Sequence, residues 1–360
     1  MWPAALPASL LLWGLWITAF PVGSILPPDL SMSQKAQMFQ DFVIRFNKTY
    51  RSPEETQHRF KIFLQNLERS QAQQASELGT AQYGITQFSD LTETEFKERC
   101  GNGHASPPDL TPSQRQPDAP LEGEISPSCD WRKTGAIPEV KHQGEKCASC
   151  WAFAAVANIE ALWNIHRGSP RNLSAQEMLD CTYWECNKQG CQGGYPWDGF
   201  LTVVNRSGLS SEKLYPYTGK VQKCLKLRKR NLTPIDGYEM LPRDEKHIAE
   251  RVASQGPVTV LLNCAALQNY QKGIIQRSAK DCDPKYLDHV GLIVGYGEAK
   301  SRRGSWNGQY WIIQNSWGKD WGEEGYFRFY RGSNTCGIAM YPATAIVKNN
   351  RGKKPVFCHL

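Results

Sequence analysis

The chain has 360 residues, of which 40% are hydrophobic, and a net charge of +7 from 42 Lys and Arg against 35 Asp and Glu. This length predicts about two or three folded units, and the hydrophobic share excludes a disordered chain. No apolar run after residue 30 reaches the roughly 18 residues that a membrane-spanning helix needs, which excludes a polytopic membrane protein. A soluble enzyme or a binding protein remains.

The first 30 residues are almost free of charge. No charged side chain precedes Asp29, and the segment contains the apolar run LLLWGLWITAF. This pattern favours a cleaved signal peptide over residues 1–21, with an uncleaved anchor as the alternative, and no membrane attachment is expected after its removal. The 12 cysteines then predict disulfides in the secretory pathway: in the lysosome, the lumen of the endoplasmic reticulum or outside the cell. Glycosylation is expected at four N-x-S/T sequons, at Asn47, Asn172, Asn205 and Asn231.

A helical segment comes before a linker and a cysteine-rich body. Within residues 54–78, apolar side chains recur at helical spacing with charges on the opposite face, at Phe60, Phe63, Leu64 and Leu67. Residues 101–128 are rich in Pro, Gly, Ser and Asp and lack apolar periodicity, which predicts an exposed, protease-sensitive linker. We therefore expect a removable pro-region over residues 22–125 and a mature domain over residues 126–360.

Six basic residues crowd the segment around Cys224, at Lys220, Lys223, Lys226, Arg228, Lys229 and Arg230. No zinc-finger or RNA-binding motif accompanies them, so a nucleic-acid partner is not expected. A solvated loop beside a disulfide is the favoured interpretation. A polyanion-binding patch and a basic processing site at the end of this segment are the alternatives.

Cys150 stands at the start of an Ala-rich apolar run that has no Pro or Gly before Gly168, which predicts a helix. A cysteine at a helix N-terminus lies at the positive end of the helix dipole, where the thiolate is favoured. The thiolate is the form that attacks a peptide carbonyl. Cys147 and Cys150 could instead form a redox pair, half of a zinc site or a structural pair, but no second CxxC at zinc spacing follows. We expect no metal and no cofactor.

Five motifs follow one another along the chain: CASCW (147–151), GCQGGYPW (190–197), LDHVGLIVGYG (287–297), NSWGKDWGEEGY (315–326) and SNTCGIA (333–339). The predicted helix keeps a spaced E-R-F-N pattern and is followed by GITQFSD, with the pattern at Glu55, Arg59, Phe63 and Asn66. With these motifs the chain resembles the papain family of cysteine proteases, including the family's inhibitory pro-helix. Cys129 before DWRK, Gln74 and a tail with Cys358 resemble one cathepsin branch of that family.

The resemblance implies an α+β, papain-like two-lobe fold that is preceded by a helical inhibitory pro-region. A helical lobe carries Cys150, and a β-barrel-like lobe carries His289 as the base and Asn315 as the residue that orients the imidazole. His289 lies roughly 140 residues after Cys150, as the family leads us to expect, and Asn315 roughly 165 residues after it. We place the excess in a long polar loop over residues 297–308.

The resemblance also assigns the groups around this pair. Gln143 would donate its side-chain N–H to the oxyanion, together with the backbone N–H of Cys150. One residue more than usual separates Gln143 from Cys147, which leaves the placement of its amide open. Trp317 and Trp321 would cover the hydrogen bond between the base and its asparagine.

The substrate groove is expected next to Cys191. Gly193 and Gly194 lack Cβ atoms, so a substrate backbone can pair there as an extra strand, unless the glycines only form a tight turn. By resemblance, the main specificity pocket and its surroundings consist of apolar and aromatic residues, namely Tyr195, Pro196, Leu261, Leu287, Val290, Trp317 and, at the floor, Tyr341. This set predicts a preference for a hydrophobic or aromatic residue two positions before the scissile bond.

The resemblance pairs six cysteines as disulfides: Cys147 with Cys191, Cys181 with Cys224, and Cys282 with Cys336. The other cysteines outside the nucleophile have no family partner, and sequence does not give their connectivity: Cys100, Cys129, Cys186, Cys264 and Cys358. A further bond from Cys129 to Cys358 would tie the ends of the mature domain together.

These observations predict a cysteine endopeptidase made as a zymogen, which hydrolyses peptide bonds through a Cys150–His289 thiolate–imidazolium pair. The alternative is a weakly active or non-catalytic papain-like binding protein, and the presence of all four residues of the catalytic set favours the enzyme. The expected partners are polypeptide substrates, the pro-region as an inhibitor, and cystatin-like inhibitors. The protein is expected to be a monomer.

Overall fold

The computed structural model describes residues 30–101, 126–182, 190–225, 231–300 and 306–348, together with Cys358. The predicted signal peptide, most of the predicted linker, and the basic residues from Lys226 to Arg230 lie outside the described residues. Within the described part of the chain, no helix is both long and apolar enough to cross a bilayer. We call residues 30–101 the N-terminal segment and the other described residues the body.

The N-terminal segment holds three helices and a short strand: α1 (Met32–Arg45), α2 (Pro53–Ala75), β1 (Gln82–Tyr83) and α3 (Glu93–Cys100). The helices of the body are α4 (Cys150–Arg167), α5 (Ala175–Cys181), α6 (Pro196–Asn205) and α7 (Glu245–Gln255). Its strands are β2 (Cys129–Asp130), β3 (Gly237–Met240), β4 (Val258–Leu262), β5 (Tyr270–Lys272), β6 (Ile274–Ile275), β7 (His289–Lys300), β8 (Asn307–Gln314), β9 (Tyr326–Arg331) and β10 (Ala343–Ile346). The architecture is α+β, as expected.

The predicted pro-helix is α2, and its sequence explains its start and its buried face. Ser52 caps the helix by accepting a hydrogen bond from the Glu55 N–H at 3.2 Å, and a proline occupies the first turn. Phe63 is fully buried against α1, with its ring centroid 5.3 Å from that of Phe39 and 5.2 Å from that of Phe42. The helical prediction from the apolar spacing is therefore confirmed.

Polar residues of the E-R-F-N pattern fasten α2 to the GITQFSD stretch. The buried Asn66 donates through Nδ2 to the carbonyls of Ser89 at 2.9 Å and Leu91 at 2.8 Å. Arg59 donates to the carbonyl of Asp90 at 3.0 Å. These bonds satisfy backbone acceptors that would otherwise be buried without partners, and so fix the chain that leads from α2 to α3.

The centre of the helical lobe is α4. This helix is buried on most of its surface because it packs against α5, α6 and the strand β7 together. Its alanines allow this close approach on several sides. It ends where Gly168 takes the left-handed conformation, with φ of +52°.

Eight strands of the body form one sheet, in the order β3-β10-β4-β7-β8-β9-β6 with β2 also paired to β7. Neighbouring strands are antiparallel except for β6 and β9. The first nine residues of β7 are all buried, as expected for an apolar run that is covered on both faces. β7 lies between β4 and β8, and its first residue, His289, pairs with Leu262 at the end of β4.

The expectation of a long polar loop over residues 297–308 was wrong at both ends. Gly297 pairs with Tyr310 and Lys300 with Asn307, so β7 and β8 continue as an antiparallel hairpin into this segment, and residues 301–305 lie outside the described chain. Backbone pairing extends the ladder although the side chains are polar. A hydrogen bond of 2.7 Å between the side chains of Glu298 and Gln309 supports it.

Five disulfides are present among the described residues. Three of them join the pairs that the resemblance implies: Cys147–Cys191, Cys181–Cys224 and Cys282–Cys336. The other two are Cys129–Cys358 and Cys100–Cys264. Among the described cysteines, Cys150 alone is a thiol, and Cys186 lies outside them. Since Cys147 is bonded to Cys191, it does not form a redox pair with Cys150.

Candidate active site

Cys150 is the first residue of α4 and is 2% exposed. Its Sγ donates a hydrogen bond of 3.2 Å to the carbonyl oxygen of Cys100, which belongs to the N-terminal segment. Burial raises the pKa of the Cys150 thiol to about 12, and the backbone N–H groups of Val290 and Trp151 oppose this shift only in part. The nucleophile predicted from the sequence is therefore held as a thiol in this closed form.

His289 is fully enclosed at the start of β7. Its Nε2 lies 2.8 Å from Oδ1 of Asn315, and that oxygen also accepts the Ser316 N–H at 2.8 Å, so the histidine is the donor. The Trp317 ring lies over the imidazole at 4.7 Å between centroids, and Trp321 meets Trp317 edge-on at 4.8 Å. The two tryptophans thus cover the histidine–asparagine bond, in the arrangement expected from the sequence.

The protonation of His289 is also governed by burial. Burial lowers the pKa of His289 to about 4, against the opposing effects of Asn315 and of the nearby Cys100 carbonyl. The predicted thiolate–imidazolium pair is consequently not the favoured state while the site is covered. Both neutral forms are favoured because the segment at Cys100 keeps water away from the sulfur of Cys150 and from the imidazole.

Cys150 and His289 border the same small volume. The thiol is close enough to the N–H of Val290, the residue after His289, for that group to lower the pKa of Cys150. The Cys100 carbonyl, which accepts from the thiol, also lies close enough to His289 to raise its pKa. One backbone carbonyl of the N-terminal segment thus lies near both the Cys150 thiol and the His289 imidazole.

Gln143 is 1% exposed and its amide is fixed on both sides. Ser316 Oγ donates to Oε1 at 2.7 Å, while Nε2 donates to the carbonyls of Arg99 at 3.0 Å and Cys147 at 3.3 Å. Between Gln143 and Cys147, Gly144 has a φ of +81° and residues 145–146 form a bend. The extra residue therefore does not prevent the Gln143 amide from reaching a peptide carbonyl in the cleft.

The end of α3 and the residue after it run through the cleft. The carbonyl oxygen of Arg99 accepts a hydrogen bond from the Gln143 amide, and that of Cys100 accepts one from the Cys150 thiol. At Gly101, φ is +146°, and an added Cβ would lie 2.7 Å from the carbonyl oxygen of Asp288. From the sequence alone these residues were not expected in the cleft. The available signal was a glycine directly after a helix end, which is common in any protein.

A second part of the N-terminal segment covers the site from the side of Trp317. The rings of Phe88 and Phe96 lie 5.0 Å and 5.6 Å from the Trp317 ring. Strand β1 pairs with β5 of the body, which aligns Tyr83 with Tyr270. Trp317 is therefore 2% exposed and contacts the N-terminal segment in this closed form, and its contact with substrate stays a prediction.

A buried ion pair joins the N-terminal segment to the body away from the cleft. Arg277 Nε lies 3.4 Å from Oε2 of Glu77, and the two side chains are 3% and 2% exposed. Arg277 also donates to the carbonyl of Gln73 at 2.9 Å and to Ser76 Oγ at 2.6 Å. With its guanidinium over the Tyr83 ring at 4.9 Å, Arg277 fastens the C-terminal end of α2 to the sheet side of the body.

The residues of the predicted specificity pocket lie together with Cys150. One apolar cluster of the body contains Cys150 and four of them, Leu261, Leu287, Val290 and Tyr341, with Tyr195 packed against it. Tyr195 stacks on Trp197 at 4.6 Å, and Pro196 is the first residue of α6. Gly193 is buried with φ of +116°, and its Cα is 4.0 Å from a Cβ placed at Gly101. Gly194, next to it, is half-buried.

Two acidic residues near the site were missed from the sequence. Asp288 accepts the Cys264 N–H at 2.8 Å, and burial raises the pKa of Asp288 to about 7. Asp198, in the first turn of α6, lies close to Tyr195, and burial raises the pKa of Asp198 to about 6. The sequence carried one signal, which is that each of these residues sits within or beside a recognised motif.

The predicted surface sites are exposed. The side chains at all four sequons lie at the surface, at Asn47, Asn172, Asn205 and Asn231. Lys220 and Lys223 are exposed next to the Cys181–Cys224 disulfide, as the solvated-loop interpretation requires. The remaining basic residues of that segment lie outside the described part.

Comparison with known proteins identifies the family. Residues 125–346 match the papain family cysteine protease model, and residues 39–96 match the cathepsin propeptide inhibitor domain (I29). Cathepsin W of Felis catus is 44% identical over 348 residues, which is 92% of this chain and 91% of that protein. Cathepsin F of Mus musculus is 41% identical over 324 residues, which is 89% of this chain and 67% of that protein.

A solved structure extends this likeness to the whole fold. The digestive procathepsin L 3 of Tenebrio molitor larval midgut has a TM-score of 0.75 and 31% identity, and the match covers 88% of this chain and 100% of that one. Cathepsin W is the branch that the sequence features at Cys129, Gln74 and Cys358 indicated. A protease match over more than half of the chain, a preceding inhibitor domain and relatives of this length lead to one conclusion: the chain belongs to the papain family of cysteine proteases.

Proposed function

We propose that the chain is the zymogen of a cysteine endopeptidase in which Cys150 is the nucleophile, His289 the base, Asn315 its positioning residue and Gln143 an oxyanion donor. The observation that carries this proposal is the position of two peptide carbonyls of the N-terminal segment. One carbonyl oxygen accepts a hydrogen bond from the Cys150 sulfur at 3.2 Å, and the other accepts one from the Gln143 amide at 3.0 Å. A substrate peptide would meet the same two groups.

Removal of the N-terminal segment changes the protonation of this pair. Water then reaches the sulfur and the imidazole, so the burial that raises the pKa of Cys150 and lowers that of His289 is relieved. The N-terminal end of α4 and the adjacent histidine both favour the thiolate. The thiolate–imidazolium pair therefore forms on activation and not in the zymogen.

Catalysis proceeds through an acyl-enzyme. The Cys150 thiolate attacks the scissile carbonyl carbon, and the resulting oxyanion accepts hydrogen bonds from Gln143 Nε2 and from the Cys150 backbone N–H at the start of α4. His289 gives its proton to the leaving amine, which leaves a thioester. It then takes a proton from water, which hydrolyses the thioester and restores the thiolate. Asn315 keeps the imidazole in the orientation that these transfers need.

The pocket chemistry supports polypeptide substrates with a hydrophobic or aromatic residue two positions before the scissile bond. Leu261, Val290 and Tyr341 belong to the apolar cluster that contains Cys150. In the proposed pocket the first two would narrow the space and the tyrosine would form the floor, so a charged side chain there would lose its hydration without gaining a partner from these residues. Gly193 and Gly194 leave room for the substrate backbone at the edge of the groove. Cystatin-like inhibitors would use the same groove.

The remaining parts of the chain fit a secretory zymogen. Residues 1–21 would be the signal peptide, residues 22–125 the inhibitory pro-region and residues 126–360 the mature domain. The disulfides and the exposed sequons support passage through an oxidising lumen, with glycosylation at the four asparagines and a final location in the lysosome, the endoplasmic reticulum or outside the cell. We expect the mature protein to act as a monomer.

The test is labelling by a peptidyl epoxide at acid pH after removal of the N-terminal segment. We expect the probe to attach to Cys150, and a probe with Phe or Leu at the second position to react at least tenfold faster than one with Asp. Cys150→Ser should abolish labelling and leave the circular dichroism spectrum unchanged. A freed and folded body that does not react would instead support a non-catalytic papain-like binding protein.

A further inference from the structure

One disulfide crosses from the N-terminal segment to the body. Cys100 is the last residue of α3, and Cys264 lies just after β4, with 6.5 Å between their Cα atoms. The linker at residues 102–125 lies between them in the sequence. The other disulfides of the described chain join residues within the body. Cleavage of the linker alone therefore leaves the N-terminal segment covalently bound to the body.

We propose that the Cys100–Cys264 disulfide is a reducible latch, so that an active enzyme is released only when the linker is cleaved and a thiol reductant has opened this bond. The inference rests on the proposed function, since it assigns a second activation step to the same cleft. Under this proposal the disulfide reacts covalently with a reductant, which is a low-molecular-weight thiol or a dithiol.

The latch acts directly on the candidate catalytic residues. The residue that carries one of the bonded sulfurs, Cys100, also places its carbonyl oxygen 3.2 Å from the Cys150 sulfur. At the other end of the bond, the Cys264 N–H donates at 2.8 Å to Asp288, which immediately precedes His289. The disulfide therefore holds the Cys100 carbonyl close to the nucleophile and the base, and does not attach the segment at a remote point of the surface.

A tether of this kind makes displacement by substrate very unfavourable. A segment that is cut and untethered dissociates and is diluted, whereas a tethered one stays at an effective concentration on the order of millimolar. The aromatic contacts of Phe88 and Phe96 with Trp317 and the ion pair of Glu77 with Arg277 then re-form after every opening. Cleavage without reduction is expected to leave the cleft closed for most of the time.

Opening the latch is a balanced thiol–disulfide exchange. A reductant thiolate attacks the sulfur of Cys100 or Cys264, forms a mixed disulfide and expels the other cysteine as a thiolate, which takes up a proton. A second thiol resolves the mixed disulfide. In total, two cysteine thiols form while two reductant thiols become one disulfide, so two electrons and two protons are transferred to the protein.

The burial of the bond limits when a reductant can act. Cys100 and Cys264 are both 0% exposed, so a reductant reaches the sulfurs only when α3 moves away from the body. The attacking thiol must be deprotonated, so the exchange slows as the pH falls below the pKa of the reductant. Because opening the latch needs electrons from a reductant, acidification alone does not open it.

The experiment uses the full chain with a site-specific protease sequence placed in the linker. After cleavage without reductant, we expect one band on a denaturing non-reducing gel and two bands after treatment with dithiothreitol. Labelling of Cys150 by the peptidyl epoxide should be at least tenfold faster after a brief dithiothreitol treatment and its removal. Two bands without reductant, or equal labelling rates before and after reduction, would overturn the latch.

Two double variants control the measurement. Cys100→Ser/Cys264→Ser should separate into two pieces and label at the fast rate with or without reductant. The matched control, Cys129→Ser/Cys358→Ser, removes a bond within the body and should keep the dependence on reductant. If a variant does not fold, peptide mapping of the native chain without reduction decides, since free thiols at Cys100 and Cys264 would contradict the proposal.

The gel assay for the disulfide can fail independently of the labelling assay that tests the proposed function. The gel reports only whether the two pieces are joined, and it needs no catalytic activity. If the freed Cys100→Ser/Cys264→Ser body did not react with the probe, the proposed function would fail while the gel still decided the presence of the bond.

Discussion

The N-terminal segment and the body are stabilised in different ways. In the body, four disulfides join distant parts of the chain. Among the described residues, no disulfide joins two parts of the N-terminal segment, whose own core is a small aromatic cluster between α1 and α2. The segment also adds side chains to one of the two large apolar clusters of the body, among them Tyr83, Phe88 and Phe96. We therefore expect the segment to depend more on the body than the body depends on the segment. The inhibitory segment thus has fewer internal cross-links than the protease body that it covers.

The largest expected effect concerns the core of the N-terminal segment. Phe63→Ala removes a fully buried ring from the cluster with Phe39 and Phe42, which should cost about 4 kcal/mol. We expect limited proteolysis to digest residues 30–101 at least a hundredfold faster, while the body remains resistant. Ile44→Ala, at a side chain that is 78% exposed, is the control and should change little. Equal acceleration in both regions would contradict the independence of the body.

The next effect concerns the joint between the two regions. Arg277→Met leaves the buried carboxylate of Glu77 without its cation, which should cost about 3 kcal/mol and weaken binding of the N-terminal segment about a hundredfold. The measurement is the dissociation of the cut segment in the latch-free Cys100→Ser/Cys264→Ser background. Adding Glu77→Gln should restore part of the loss, and the exposed Lys272→Met should have no effect.

A smaller effect should appear in the pH dependence of the closed cleft. His289 has a lowered pKa, so the closed form loses stability as the pH falls from about 6.5 to about 4. Asp288 has a raised pKa, so its contribution is lost as the pH rises from about 4 to about 7. The two contributions have opposite signs over the same range and largely cancel. Lys97 is the cation that acts on Asp288 and opposes its shift.

Asp288→Asn should expose the histidine contribution. The amide oxygen still accepts from the Cys264 N–H, but the second titration is gone. Between pH 6.5 and pH 4.5, we expect the variant zymogen to lose about 2 kcal/mol more stability than the native one, measured as a Tm that is lower by about 4 °C. Asp281→Asn, at an exposed position, is the control. A variant with the pH profile of the native protein would show that the two groups do not titrate as described.

The sequence predicted those parts of the molecule that a local pattern determines. The apolar spacing around Phe63 predicted the helix α2, and the run without glycine after Cys150 predicted the helix α4. In each case the residues that specify the element are neighbours in the chain, so no knowledge of the tertiary fold was needed.

Other features depend on which distant residues meet, and these were missed. Cys100 and Cys264 are separated by 164 residues, and no local pattern pairs them. The pKa values of Cys150 and His289 depend on what covers the cleft, so the neutral thiol and neutral imidazole of the closed form were not foreseen, while the charged pair of the active enzyme stays a prediction. The β7–β8 hairpin was taken for a loop because its side chains are polar, although backbone pairing maintains it.

The bond from Cys129 to Cys358 has a consequence for the lifetime of the mature enzyme. It fastens the start of β2 to the far end of the described chain, where the Cys358 N–H also donates to the Ala253 carbonyl at 3.1 Å. An exopeptidase that trims either terminus would therefore soon meet a cross-linked residue. Wherever other proteases are present, a polypeptide whose two ends are cross-linked to its own core resists digestion from the ends, and its turnover then depends on internal cuts.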